Sequence, residues 1–149
     1  MNNWGPHKST IFGWDANITA LVTYAVSIVI LFIPGINFIS WLVPISFYFM
    51  EKKSYFVKFH AMQAFLLNLA GIVLKLVIGL LLGGNIVALI FSPGSVLNWG
   101  TFVMVIMAKG IISLVIIVFE VIAIVKSYGY EEYCIPIIGN VVYKIMGNN

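Results

Sequence analysis

The chain has 149 residues, of which 62% are hydrophobic and only 9% charged, where a soluble domain carries about 25% charged residues. A water-soluble core of this size does not hide so much apolar surface, and the continuous apolar runs lack the two-residue alternation of a β-barrel. The net charge is +3 and all eight basic residues are lysines, six of them toward the ends of apolar runs, a membrane-edge pattern rather than a nucleic-acid stripe.

In chain order, residues 1–17 are polar and mixed, with Trp4 and Trp14 suited to a headgroup layer. Asn17-Ile18-Thr19 is a glycosylation sequon lying against the first apolar run, where it carries little weight. No small-x-small cleavage site follows that run, so a signal peptide is not expected. His7 and His60 read as surface or interfacial histidines.

Residues 18–33 form the first apolar run, ending at Pro34-Gly35, and 36–50 form the second, containing Trp41 and Pro44. As helices they would be roughly 24 and 22 Å long, short against a hydrocarbon core of about 30 Å. A tight helical hairpin turning at Pro34-Gly35-Ile36-Asn37 is expected, with a single bent span as the alternative. Next come Glu51, Lys52 and Lys53, then aromatics, then oil, the order of a helix entering a bilayer. The third run, 57–83, is long enough to cross, and Gly83-Gly84-Asn85 breaks it. Residues 86–99, interrupted by Ser92-Pro93-Gly94-Ser95, are expected on the far membrane surface, with Trp99 marking the interface. The fourth run is 101–126.

Four crossings put the N-terminus, the 51–58 loop and the C-terminus on one side, with Lys8, Lys52, Lys53, Lys58, Lys126 and Lys144. Loops 34–37 and 84–100 hold no charged residue. The positive-inside rule then makes the lysine-bearing side cytoplasmic in a cell membrane. Three crossings would move only the N-terminus. In the tail, Ile135, Ile138, Val142 and Ile145 recur at helical spacing and Pro136 suits a helix start, which predicts an amphipathic helix lying on the inner surface. Tyr128, Tyr130 and Tyr133 fit that position, and Glu131-Glu132 reads as a solvated pair. The expected fold class is all-α: a polytopic membrane helical bundle of four membrane helices, the first two short and paired as a hairpin, plus a short interfacial C-terminal helix. The segments are a polar 1–17, a membrane helical domain 18–127 and an amphipathic interfacial tail 128–149.

At about 100° per residue, His60, Gln63, Asn68, Gly71 and Lys75 fall within an arc of roughly 140° on the third helix. Lys109, Ser113, Glu120 and Ser127 fall within about 40° on the fourth. Polar groups avoid lipid, so the two faces should turn toward each other. Setting Ala61 opposite Lys126 brings Asn68 level with Glu120 and Lys75 with Ser113, leaving Lys75 and Lys109 in the outer half, where they snorkel outward. The face serves either as bundle glue or as a site in which Glu120 titrates or binds a polar ligand. A groove for a partner is a third use. No enzyme motif stands out: there are no paired carboxylates, phosphate loop, zinc helix or Ser-His-Asp order. The single cysteine, Cys134, allows no internal disulfide, and neither a metal-ligand pattern nor a cofactor motif is present.

Phe56-Val57-Lys58-Phe59-His60-Ala61-Met62-Gln63-Ala64 resembles the signature of a widespread family of small bacterial and archaeal membrane proteins. That family is mostly uncharacterised and related to the chloroplast inner-envelope import component of the Tic translocon. Its pattern is an aromatic, a basic residue, then Phe-His-Ala-x-Gln entering a membrane helix. Ile135-Pro136-Ile137-Ile138-Gly139-Asn140 is similar to a second family stretch, Leu/Ile-Pro-x-Ile-Gly, and Asn17 to Tyr24 resembles the usual first span. The likeness covers most of 16–145. The Ser92-Pro93-Gly94 loop and the twin lysines Lys75 and Lys109 depart from it, and no plastid transit peptide is seen. The resemblance implies four membrane helices, no catalytic residues, and a role near protein or peptide passage across a membrane.

The expected function is an accessory or channel-like component handling a protein or peptide client. The alternatives are a small-solute or proton pathway through Glu120, Asn68 and Gln63, and a non-transporting membrane interaction or immunity-type protein. The expected partners are the lipid bilayer and a polypeptide client or partner membrane protein, with no nucleic acid. Four helices enclose little space, so an aqueous path would need a homo-oligomer or a partner.

Overall fold

A computed structural model describes residues 3–33, 35–83 and 99–147. Among them the chain forms α1 (Ala16–Leu31), a 3-10 turn (Asn37–Ile39), α2 (Leu42–Met50), α3 (Tyr55–Gly83), α4 (Trp99–Tyr128) and α5 (Ile138–Ile145). Strand pairing among the described residues is limited to the isolated bridges Asn3–Glu131 and Lys8–Asp15. Pro34, the 84–98 stretch with its Ser92-Pro93-Gly94-Ser95 break, and the Trp99 side chain lie outside the described residues.

The two long apolar runs become the two long helices. Tyr55–Leu81 and Val103–Tyr128, of 27 and 26 residues, are long and apolar enough to cross a membrane. Each would measure about 40 Å. Helices α1 and α2 are shorter than that test requires, with 16 and 9 residues. They pack on each other and both lie against α3, so the hairpin forms rather than one bent span. Gly35 takes φ +86° in the turn, a left-handed conformation that glycine adopts without a Cβ penalty. The run 36–50 does not become one helix. Pro44 stands third in α2, where its missing N–H has no intrahelical carbonyl to reach, so the helix begins just before it.

Polarity is inverted relative to a soluble fold. Leu74, Leu76, Leu80 and Leu81 on α3 and Met104, Met107, Leu114 and Val125 on α4 are exposed. Thr19, Thr23, Ser27, His60, Gln63, Asn68, Glu120 and Ser127 are buried. That arrangement is favourable when oil is outside, because a polar group facing hydrocarbon loses its hydrogen bonds. Helix α4 packs on both α1 and α3. At Gly71 the approach is so close that a Cβ would stand 2.1 Å from Ile116 Cδ1.

The tail departs from expectation. Its apolar stripe is docked on protein instead of turned to the membrane: Ile135 and Val142 are fully buried, and Val142 and Ile138 pack with Phe59 and Met62 of α3. Ile145 stays exposed. Docking brings Gly139 so close to Cys134 that a Cβ would lie 2.7 Å from Cys134 Cβ and 2.9 Å from its Cα. Backbone atoms cannot yield as a side-chain tip can. Gly139→Ala is therefore expected to lower stability by about 1–3 kcal/mol in detergent unfolding. Gly71→Ala, where the Ile116 methyl can turn away, should cost clearly less; equal losses would contradict the docking.

Candidate functional site

The intramembrane polar residues meet in one connected set. Gln63 Nε2 donates to the Tyr24 hydroxyl at 3.1 Å and to the Tyr133 carbonyl at 3.0 Å, while Gln63 Oε1 accepts from Ile135 N–H at 3.1 Å. The Tyr24 hydroxyl lies 3.1 Å from His60 Nδ1. A hydroxyl accepting from Gln63 has its own proton to give, which assigns Nδ1 as acceptor and leaves the His60 proton on Nε2. That nitrogen is buried without a hydrogen-bond partner. His60 is thus a fully buried core histidine, not an interfacial one. Its ring meets Phe56 edge-on, 4.5 Å between centroids.

One turn deeper, Asn68 Nδ2 donates to Glu120 Oε1 at 2.7 Å and to the Ala64 carbonyl at 2.9 Å, and Asn68 Oδ1 accepts from Ser40 at 3.1 Å. This is the pairing given by the antiparallel register. Glu120 Oε2 is buried with no partner. Ser113 is half-buried on the same face of α4. Lys75 and Lys109 stand apart from this set and share a cleft with Asn37.

The signature residues divide by role. Phe56, Val57, Phe59 and Ala61 are fully buried, and Lys58 is half-buried with its amine 5.9 Å from the centroid of the Tyr48 ring. Pro136 is exposed and opens a γ-turn: Ile138 N–H donates to the Pro136 carbonyl at 2.8 Å across Ile137, which sits at φ +69°. Such a turn is strained at a β-branched residue, and it orients α5. The two halves of the signature therefore touch: Gln63 of the first holds the backbone of Ile135 in the second.

Three groups escaped the sequence reading. Glu51 is buried and accepts from Ser9 Oγ, from Thr10 Oγ1 at 2.7 Å, from Thr10 N–H, and from the N–H groups of Lys53 and Ser54, each at 2.9 Å. Ser54 in turn caps α3 by accepting from Val57 N–H at 3.2 Å, and its hydroxyl meets His7 Nε2 at 2.7 Å. The expected solvated pair Glu131-Glu132 is split. Glu131 pairs with Lys126 at 2.8 Å, whereas Glu132 is fully buried and accepts from Trp4 Nε1 at 2.7 Å and Tyr143 OH at 2.5 Å. Burial first, and then hydrogen bonds with Cys134 and Glu132, raise the Tyr143 pKa, so the phenol keeps the proton it donates. Trp4, read as a headgroup anchor, instead stacks on Tyr55 at 5.7 Å. A faint signal existed in the aromatics flanking the acids, but nothing periodic linked residue 4 to residue 132.

The family model that describes the magnetosome magnetite crystal formation protein family matches residues 15–142. The chain belongs to this family. It is also 26% identical over 104 residues to a UPF0132 membrane protein of Methanocaldococcus jannaschii. That match covers 70% of this chain and 60% of the relative, less than two thirds of the latter's length. No solved structure matches. Family, relative and the two long apolar helices agree that this is a membrane protein.

Two outcomes follow from the geometry. Gln63→Leu strands the Ile135 N–H and Tyr133 carbonyl, which should cost about 2–4 kcal/mol and speed amide exchange across 133–146 while the α3–α4 pairing persists. For Glu51, burial acts to raise the pKa, but the hydrogen bonds from Ser54, Ser9, Lys53 and Thr10 prevail and bring it from 4.5 to about 2. A lowered folded-state pKa means the stabilisation is complete above pH 4.5 and is lost as pH falls toward 2. Wild type should thus lose about 2–3 kcal/mol more than Glu51→Gln across that window in acid-unfolding curves.

Proposed function

We propose that the protein is a non-catalytic, multi-pass protein of the cell membrane that docks a polypeptide partner on its lysine-bearing face, with that face and both termini cytoplasmic. The observation carrying this reading is that the intramembrane polar groups are engaged with one another. Gln63 and Asn68 spend their donors and acceptors within the chain, and Asn68, itself held by Ser40, occupies one oxygen of Glu120, so a polar solute passing Glu120 would have to displace that amide. The opposite is true at the lysine-bearing end. There the N-terminal arm, the 51–54 loop and the tail form one hydrogen-bonded cap that leaves Lys8, Lys52, Lys53 and Lys144 exposed. A surface ordered in advance loses less entropy on binding. A translocating polypeptide, as the Tic resemblance implies, is one class of such a partner.

The family's name speaks of magnetite crystal formation. In this chain each of the five acidic side chains is held internally: Asp15 by Lys8, Glu131 by Lys126, and Glu51, Glu120 and Glu132 in buried hydrogen bonds. Among the described residues no three His, Cys, Asp or Glu side chains gather as a metal site. Neither arrangement offers an exposed acidic cluster for mineral contact among the described residues.

A photo-crosslinking residue placed at Lys52 or at Val141 should form adducts with another polypeptide in native membranes, and one at the exposed Val73 should not. Adducts confined to Val73 would overturn the docking reading. So would a proton flux in proteoliposomes that Glu120→Gln abolishes.

A further inference from the structure

Lys75 and Lys109 face a cleft of about 140 Å³ between the Asn37–Ile39 turn and the α3–α4 pair, lined also by Asn37, Phe38, Ile72 and Leu76. Lys109 reaches across to α3, its Nζ lying 3.5 Å from where a Cβ on Gly79 would be. Gly79 is one turn beyond Lys75, so the Lys109 ammonium stands only about 6 Å along the axis from the level of the Lys75 backbone, and both side chains line one cleft. Two like charges placed so closely are unfavourable unless something negative lies between them.

The chain does not supply that negative charge. All five acidic side chains are engaged elsewhere, and the 84–98 stretch contains no charged residue. Depth identifies the source. Lys58 to Lys75 on α3, and Lys126 to Lys109 on α4, each span about 25 Å of helix. With side chains snorkelling outward, both pairs bracket a hydrocarbon core of about 30 Å. Lys75 and Lys109 thus stand inside the outer ends of the spans Tyr55–Leu81 and Val103–Tyr128, opposite the Glu51 loop, and their ammonium groups meet the headgroups by reaching outward. Beside them, Phe38 and Leu76 are exposed apolar walls suited to the start of an acyl chain.

We propose that this cleft binds the phosphate of an anionic lipid headgroup, the two lysines contacting its oxygens and Asn37 standing at the rim. The inference rests on α3 and α4 crossing the bilayer and is independent of the docking of a partner at the other end. Two ammonium groups converging on one phosphate are charge-assisted contacts, stronger than contacts with a zwitterionic headgroup whose own amine repels them.

The test is native mass spectrometry of the full chain in a neutral detergent with equal phosphatidylglycerol and phosphatidylcholine. Phosphatidylglycerol should be retained about tenfold more strongly. Lys75→Gln with Lys109→Gln should remove the preference, and Lys75→Arg with Lys109→Arg should keep it. Lys52→Gln with Lys53→Gln, at the other end, should also keep it. No headgroup preference, a preference that survives the Lys75→Gln and Lys109→Gln changes, or equal loss in the Lys52 and Lys53 control would each overturn the site. Glycerol phosphate, added as the free anion, should displace the lipid poorly. Displacement at equal concentration would show that the ligand is a soluble phosphate and overturn its assignment to lipid.

Discussion

The side chain of Gln63 holds three pieces of chain that no regular structure joins. Beyond Tyr128 the backbone leaves the helix and runs back over the bundle through Tyr133 and Ile135 before α5 begins. Non-helical backbone is tolerated beside a membrane interior only where its N–H and C=O groups are satisfied by protein. Gln63 does this from inside α3, giving a donor to the Tyr133 carbonyl and an acceptor to Ile135 N–H. Its remaining bond, to the Tyr24 hydroxyl, ties α1 to the same point. An amide is the side chain suited to the task, since it donates and accepts at once. A carboxylate could not donate, and a hydroxyl would not reach both groups.

The rest of the lysine-bearing end follows from that clamp. With Ile135 held, the γ-turn at Ile137 aims α5 along α3, and Gly139 admits the close approach to Cys134. Docked α5 carries Tyr143 to Glu132, and Glu132 in turn receives Trp4. Trp4 pins the N-terminal arm, whose Ser9 and Thr10 then close on Glu51. Glu51 and Ser54 fix the start of α3, the helix that bears Gln63. The circuit is closed, so each contact is held in place by contacts formed elsewhere in it. Hydrogen bonds that support one another in this way rigidify the end of the bundle that carries them, which is the property the proposed docking surface would use.

What was legible in the sequence was whatever helical periodicity controls. The arc holding Gln63 and Asn68, the facing arc holding Glu120, and the lysines that flank both helices determine register as well as face, so Asn68 opposite Glu120 could be read from spacing alone. The hairpin was legible from run length and its Pro-Gly break. The tail stripe was legible as amphipathic, but an apolar stripe looks the same whether it meets lipid or α3, and only Gly139 among its residues hinted at a close protein neighbour. Glu51 and Glu132 were not legible. Each is buried by hydrogen bonds from residues far away in the chain and in irregular segments, where no period connects donor to acceptor. Charged residues in polar loops look solvated until the partners that replace water are known. His60 was legible in part: helical spacing put it on the inward polar arc, its setting between aromatics also resembles an interfacial residue, and its burial depends on Tyr24 of another helix.

The distribution of charge contains one conflict that the fold does not resolve by itself. Six lysines lie toward the lysine-bearing end, and the orientation rule is served by that excess. Lys75 and Lys109 work against it, because basic residues at the opposite boundary weaken the asymmetry that orients the chain. They also repel each other across a narrow cleft, and neither joins the Asn68–Glu120 pair of the polar core. Replacing either by leucine would improve the orientation signal and remove the repulsion without touching a hydrogen bond among the described residues. Two cations at such a position are consistent with minimal frustration only if the surroundings contribute what the chain omits. The headgroup phosphate proposed for the cleft is a contribution of that kind.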